Sequence, residues 1–317
     1  MVLDPSGPVL TAASRRAAVL GSPISHSLSP VLHQAAYRAL GLRDWHYGAH
    51  DVQEPALRGF VTGLGPQWAG LSLTMPLKEA AFEVADEVSE LAREVGAINT
   101  LVRRPDGGWS GDNTDVYGVS QALREAGCEQ VASSVVLGSG ATARSVVAAL
   151  AALGCAKVTF AVRSAARQET LDQAHRAGLE VDVIELGQVS QVSQVSQVSQ
   201  LSQLSPLSQL MDRLGDARVV VSTLPANALP ATATLGNNLM GGVLPHGSRL
   251  PDHLLLDVVY AGWPTPLART FQEAGASVVS GFEMLVHQAA EQVHLMTGLR
   301  APVEAMRAAG LAAMESR

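Results

Sequence analysis

Residues 134–152 read SVVLGSGATARSVVAALAA: an apolar stretch of strand length, a glycine turn, then a run of helix length. Few folds accept that order. A buried strand that turns on glycine straight into a helix opens a βαβ unit, whose next strand lies parallel to the first. The following sequence fits. KVTFAVR (157–163) reads as a strand, ETLDQAHRAG (169–178) as a helix, VDVIEL (181–186) and ARVVVSTLP (217–225) as strands, and HLLLDVVY (253–260) closes the unit. This succession predicts a doubly wound domain.

The first third alternates in the same way. RRAAVLG (15–21) is a short apolar strand. Apolar residues at 31, 32, 35, 36, 39 and 40 give helical spacing over 30–40, closed by Gly41. A strand is expected over 45–52, a helix over 55–64, a strand over 69–74, an amphipathic helix over 77–95 and a strand at AINTLVRR (97–104). Two helical runs, 281–297 and 302–315, end the chain. The expected class is α/β with largely parallel sheets and two domains: 1–117 with 281–317 for the substrate, 118–266 as a Rossmann-like dinucleotide domain, and 267–280 as the connection back. Residues 188–210, QVSQVSQVSQVSQLSQLSPLSQL, repeat an apolar residue every third position, a period that suits neither strand nor helix for long. They read as a low-complexity insertion, loosely helical at most.

Composition excludes several functions. A net charge of -7 argues against nucleic acid or an anionic membrane as the main partner. Cys128 and Cys155 stand far apart outside any CxxC, so no metal centre or disulfide is expected. The start of the chain has no signal-peptide core, and the most apolar stretch, 145–162, is broken by Gly154 and Lys157. A soluble cytoplasmic protein that binds small molecules, as monomer or homodimer, is expected.

GSGATA (138–143) has the form G-x-G-x-x-A between strand and helix, where glycines bring a pyrophosphate close to helix-start N–H groups. A merely structural turn is the competing reading. NAD-binding units carry an acid at the end of the next strand. Here Ala161-Val162-Arg163-Ser164 stands there, with Arg167 close behind. Arg163 and Arg167, with the Ser164 hydroxyl, suit a 2′-phosphate, so NADP is preferred to NAD; two solvated surface arginines are the alternative.

Three other stretches carry chemistry. SPISHSLSP (22–30) places Ser27 and Ser29 before a helix whose first residue is read as Pro30. Ser29 suits the N-cap, and a second hydroxyl beside it suits a small carboxylate, although capping and turn formation alone also account for both. In LSLTMPLKEAAF (71–82), Thr74 ends a strand and Lys78 opens a helix, where a cation opposes the dipole and a lowered pKa would serve proton transfer. GAINTLV (96–102) and GDNTDVYG (111–118) put Asn99 and Asp115 at the junction of the two domains.

GSPISHSLSPVLH, LTMPLK, GAINTLV, GDNTDVYG, GSGATARS, DVVYAGWPTPL and GFEMLVHQAAEQ occur here in the order found in shikimate dehydrogenases, and the chain resembles that family over nearly its whole length outside 188–210. The resemblance implies NADP-dependent reduction of 3-dehydroshikimate to shikimate on the path to aromatic amino acids. It implies that Ser27 and Ser29 bind the substrate carboxylate and that Lys78 and Asp115 form the catalytic pair. Thr74, Asn99, Tyr260 and Gln288 would hold ring hydroxyls. Gly138, Ser139, Gly140, Ala141 and Thr142 would cradle the pyrophosphate, Arg163, Ser164 and Arg167 the 2′-phosphate, while Val258 and Gly281 would lie near the nicotinamide. Ser72 and Val162 stand where the family often has Asn. A quinate dehydrogenase using NAD, or a non-catalytic sensor of shikimate or quinate, are the competing functions.

Overall fold

The computed structural model describes residues 14–187, 206–224 and 252–316, so most of the triplet stretch lies outside the described residues. Two compact units are present. One comprises 1–93, 97–114 and 289–317; the other comprises 94–96 and 115–288. No helix among the described residues is long and apolar enough to cross a membrane.

Unit 1 is built on a six-stranded sheet. Its strands are β1 (Arg15–Gly21), β2 (Trp45–Asp51), β3 (Trp68–Leu73), β4 (Glu87–Val88), β5 (Thr100–Arg103) and β6 (Trp109–Asp112), in the order β2-β1-β3-β5-β6-β4. The expected parallel arrangement holds for β1 with β2 and β3, but β5 runs antiparallel to both β3 and β6. The Pro-Asp-Gly-Gly turn after Arg104 returns the chain directly, which only an antiparallel partner permits. All six residues of β3 are buried, as a central strand covered on both faces requires. Leu20, Leu71, Leu77, Ile98 and Leu101 form the core beneath it. Each fully buried leucine contributes about 2 kcal/mol. Helix α1 (Ser29–Ala39) packs against α11 (Val303–Glu315), and Gly41, at a φ of 70°, lies just past its C-terminal end.

The single helix expected over 77–95 is replaced by α3 (Leu77–Ala80), a 3-10 turn (Ala81–Glu83), β4 and α4 (Glu90–Val95). Periodicity loses to pairing here. Asp86 exchanges hydrogen bonds with Trp109 through its N–H and its carboxylate, both at 2.8 Å, and pulls the chain onto β6. Ser89 then caps a new helix by accepting from the Ala92 N–H at 3.0 Å.

Unit 2 carries the second sheet: β7 (Ser133–Leu137), β8 (Lys157–Val162), β9 (Glu180–Glu185), β10 (Val219–Ser222), β11 (Leu254–Asp257) and β12 (Ser277–Ser280). They lie in the order β12-β11-β10-β7-β8-β9, every pair parallel. HLLLDVVY therefore does not close the sheet. Ser277–Ser280, within the segment read as a connection, adds a parallel edge strand after α9 (Pro266–Glu273). The helices α5 (Asp115–Glu125), α6 (Ala141–Ala152), α7 (Gln168–Arg176) and α8 (Pro206–Asp216) complete the alternation. The end of the triplet stretch is thus ordered helix, because Leu210 and Leu214 enter the core with Val135, Leu137, Val220 and Phe271. Finally α10 (Gly281–Thr297) begins in unit 2 and ends in unit 1.

Candidate active site

In unit 1, five of the residues singled out by sequence sit at one edge of the sheet. β1 and β3 are parallel, so the loops after them leave from the same edge, and antiparallel β5 starts there. The Thr74 N–H donates to Leu20 O at 2.9 Å and the Ser22 N–H to Met75 O at 3.0 Å, tying the loop of Ser27 and Ser29 to that of Thr74 and Lys78. Gly21 makes this approach possible: a Cβ there would stand 2.3 Å from Thr74 Cγ2 and 2.9 Å from Met75 O. The Leu73 N–H donates to Asn99 O at 2.7 Å and the Ile98 N–H to Lys78 O at 2.8 Å, which brings Asn99 to the same edge.

Two local expectations are corrected. Helix α1 begins at Ser29 rather than Pro30, with Leu28 as the N-cap and no side chain capping it. Ser27 Oγ instead accepts from the Ser29 N–H at 3.3 Å. Ser27, rather than Ser29, thus serves the N–H at the start of the helix, so turn chemistry accounts for part of the pair. Lys78 lies in a helix of four residues, too short for the dipole argument that singled it out.

Asn99 belongs to a buried polar cluster that sequence reasoning missed. Tyr47, Ser72, Asn99, Thr100, Thr114 and Gln292 are linked by hydrogen bonds of 2.5–3.4 Å. His33 joins through Nε2, 3.2 Å from Gln292 Oε1, and stacks on Tyr47 with ring centroids 3.9 Å apart. Burial drives the His33 pKa down to about 3, against a smaller opposing effect of Gln292.

Unit 2 holds the remaining candidates. Gly138 has a φ of 97°, and a Cβ there would lie 2.7 Å from Thr223 Oγ1, so glycine is required by the turn itself. Gly140 differs. Its backbone is extended, and beyond its own chain neighbours no described residue lies within 4 Å of where its Cβ would stand. Neither conformation nor packing against the described residues requires glycine there, and the approach to the start of α6 is left open. No side chain caps α6, so its first N–H groups face that room. The residues present thus fit a dinucleotide pyrophosphate. Ser139 ties this turn to the loop after β8: its Oγ accepts from the Arg167 N–H at 3.1 Å and its carbonyl from Thr170 Oγ1 at 2.7 Å. Arg163, Ser164 and Arg167 are all exposed on that loop. Ala141 and Thr142 form the first turn of α6.

Val258 and Gly281 meet, since a Cβ on Gly281 would lie 2.0 Å from Val258 O. The loop of Val258 and Tyr260 is anchored by a second missed pair. Asp257, buried at the end of β11, accepts from Thr265 Oγ1 at 2.7 Å and from the Val259 N–H at 3.2 Å; burial raises its pKa. Thr265 in turn caps α9, accepting from the Ala268 N–H at 3.1 Å. The proline-flanked threonine in WPTPL was the available signal. Asp115, buried, opens α5, and Gly118 one turn later lets Gln288 of α10 approach, its Cβ 3.0 Å from where a Gly118 Cβ would stand. Lys78, Thr74, Asn99, Ser27 and Ser29 thus belong to unit 1, and Asp115, Tyr260, Gln288 and every residue assigned to the dinucleotide to unit 2.

Known proteins match this chain in both units. Residues 19–101 match the shikimate dehydrogenase substrate binding domain, and residues 281–309 the shikimate 5'-dehydrogenase C-terminal domain. The shikimate dehydrogenase (NADP(+)) of Symbiobacterium thermophilum is 34% identical over 305 residues, covering 94% of each chain. That of Methanosarcina barkeri is 35% identical over 301 residues, covering 94% of this chain and 98% of its own. The crystal structure of Mycobacterium tuberculosis shikimate dehydrogenase superposes with a TM-score of 0.76 at 40% identity, covering 94% of this chain and 99% of that one. The shikimate 5-dehydrogenase from Thermus thermophilus, solved in complex with NADP(H) and shikimate, gives a TM-score of 0.72 at 30% identity, covering 94% and 99%.

Proposed function

The chain belongs to the shikimate dehydrogenase family, and from that premise we propose that it catalyses the reversible NADP-dependent reduction of 3-dehydroshikimate to shikimate, in chorismate and aromatic amino acid biosynthesis. The observation that carries the reading is the shared sheet edge of unit 1, from which hydroxyls, an amide and an ammonium leave together. A small carboxylated polyol needs that mixture, and a purely apolar pocket would not supply it.

Ser27 and Ser29 donate to the substrate carboxylate, while Thr74, Asn99, Tyr260 and Gln288 bind ring hydroxyls. When bound, NADPH supplies the hydride. Lys78 stabilises the developing C3 alkoxide and gives it a proton, and Asp115 is the second member of the catalytic pair. Gly138 through Thr142 offer N–H groups to the pyrophosphate, with Val258 and Gly281 beside the nicotinamide. Arg163, Arg167 and Ser164 select the 2′-phosphate, since guanidinium forks suit its geometry. The protein works in the cytoplasm, as monomer or homodimer.

Initial rates of shikimate and quinate oxidation, each with NADP and with NAD, test this through nicotinamide absorbance. Highest kcat/KM for shikimate with NADP is expected. Preference for quinate or NAD overturns the specificity, and folded protein without turnover on any pair overturns the enzyme reading.

A further inference from the structure

We propose that Glu125, Glu283 and His287 form a binding site on unit 2 for one divalent ion of the zinc class, which staples α5 to α10. None of the three is assigned above to substrate or cofactor.

Glu125 is the last residue of α5, and Glu283 and His287 lie one turn apart near the start of α10. Their spacing of i and i+4 puts both on one face of that helix. One ligand atom from each of the three residues, two carboxylate oxygens and an imidazole nitrogen, lies within 4.8 Å of the others. Ligand atoms at about 2.0–2.2 Å from one zinc ion stand roughly 3–4 Å apart, so a small rotation of the carboxylates closes the set. The Glu125 side chain is half exposed and has room to make it.

Acidic side chains cluster on many surfaces with no ligand, and His287 is what distinguishes this group. The residue is 4% exposed, and its buried Nε2 has no hydrogen-bond partner among the described residues. Glu125 Oε2 stands 3.1 Å from that nitrogen, near enough for an ion pair yet out of line for a hydrogen bond. A simple pair would line the N–H up with the carboxylate. A cation between the two instead takes a lone pair from each, and neither atom donates to the other. With both bonds at about 2.1 Å, the 3.1 Å separation closes an N–metal–O angle of about 95°, which a four- or five-coordinate ion accepts.

One imidazole with two carboxylates suits zinc, cobalt or nickel, whereas magnesium and calcium favour oxygen alone. The cysteine pattern that predicts no metal centre does not bear on a set without sulfur. The helices to be stapled already touch: a Cβ on Gly118 of α5 would stand 2.6 Å from Met284 O of α10. Glu125 follows Gly118 by two turns of helix and so faces the same neighbour.

Calorimetric titration of zinc chloride into the metal-stripped full chain at about pH 7.5 tests this, with magnesium chloride as control. Wild type is expected to take up one equivalent of zinc and far less magnesium. Glu125→Gln and Glu283→Gln are each expected to weaken zinc more than tenfold, since even groups behind the ligands cost about 10–100-fold. Both keep the wild-type unfolding midpoint in metal-free buffer. Zinc at about 100 times its Kd raises the wild-type folding equilibrium constant about a hundredfold, read from denaturant unfolding, and this gain disappears in both variants. Zinc binding weaker than about 1 mM, or equal binding of magnesium, overturns the proposal. Wild-type zinc affinity in either variant overturns the three-ligand set, and in both it assigns the ion to other histidines.

Discussion

The two units each place candidate residues at strand ends of a six-stranded sheet, but they hold them by different means. In unit 2 the βα turn works through backbone shape: Gly138 bends it, Gly140 leaves room, and uncapped N–H groups of α6 face that room. In unit 1 backbone hydrogen bonds tie the loops together, and side-chain bonds set Asn99: its Oδ1 accepts from Thr100 Oγ1 and the Thr114 N–H, and its Nδ2 donates to Thr114 Oγ1. The difference follows the ligands. A pyrophosphate presents acceptors in many directions, and any N–H serves it. A polyol is told from its isomers only by donors and acceptors of fixed orientation, and rejecting the wrong one needs buried groups that would be left unpaired. Unit 2 is therefore sensitive to added volume, and unit 1 to the chemical identity of single atoms.

Substitutions sharpen that contrast. Lys78→Ala in unit 1 is expected to lower kcat by roughly 10²–10⁴-fold with the KM for NADP little changed, as steady-state kinetics will show; an unchanged kcat removes the proton-transfer assignment. Gly281→Ala in unit 2 adds one methyl against Val258 O and is expected to destabilise by about 3 kcal/mol, read from denaturant unfolding. Unaltered stability would break the claim that volume governs this unit. His33 gives a pH test in unit 1. Its folded pKa is about 3 against an ordinary value of 6.5, so the unfolded chain binds more protons between these values. Stability from this group is complete above about pH 6.5 and falls by roughly 1.4 kcal/mol per pH unit below it. His33→Gln should flatten the unfolding free energy between about pH 6.5 and about pH 4; a curve parallel to wild type refutes the neutral tautomer. Arg163→Ala is expected to reduce the NADP-over-NAD preference about tenfold with NAD turnover kept, and an unchanged ratio leaves Arg163 a surface residue.

What the sequence disclosed follows the same division. The glycine turn and apolar runs of unit 2 are local, and β7, α6, β8, α7 and β9 fall where their periodicity puts them. The 77–95 segment fails because Asp86 finds its partner in Trp109, far along the chain. Gln292 sits in a helix where polar residues are unremarkable, and His33 likewise; their meaning lies in partners 192 to 259 positions away. No window of sequence carries that information. Ser27 and Ser29 were legible as a pair, but not that Leu28 would take the cap.

A donor order that runs one way from Tyr47 through Ser72, Gln292 and Thr100 to Asn99 also constrains descent. Replacing Ser72 by an apolar residue leaves Tyr47 Oη without its acceptor and Gln292 Oε1 with His33 alone, and reversing Thr100 disturbs Asn99 at the far end. Positions 47, 72, 100 and 292 therefore change as a set or stay, and related lineages are expected to differ here by whole alternative wirings rather than by single drifting substitutions.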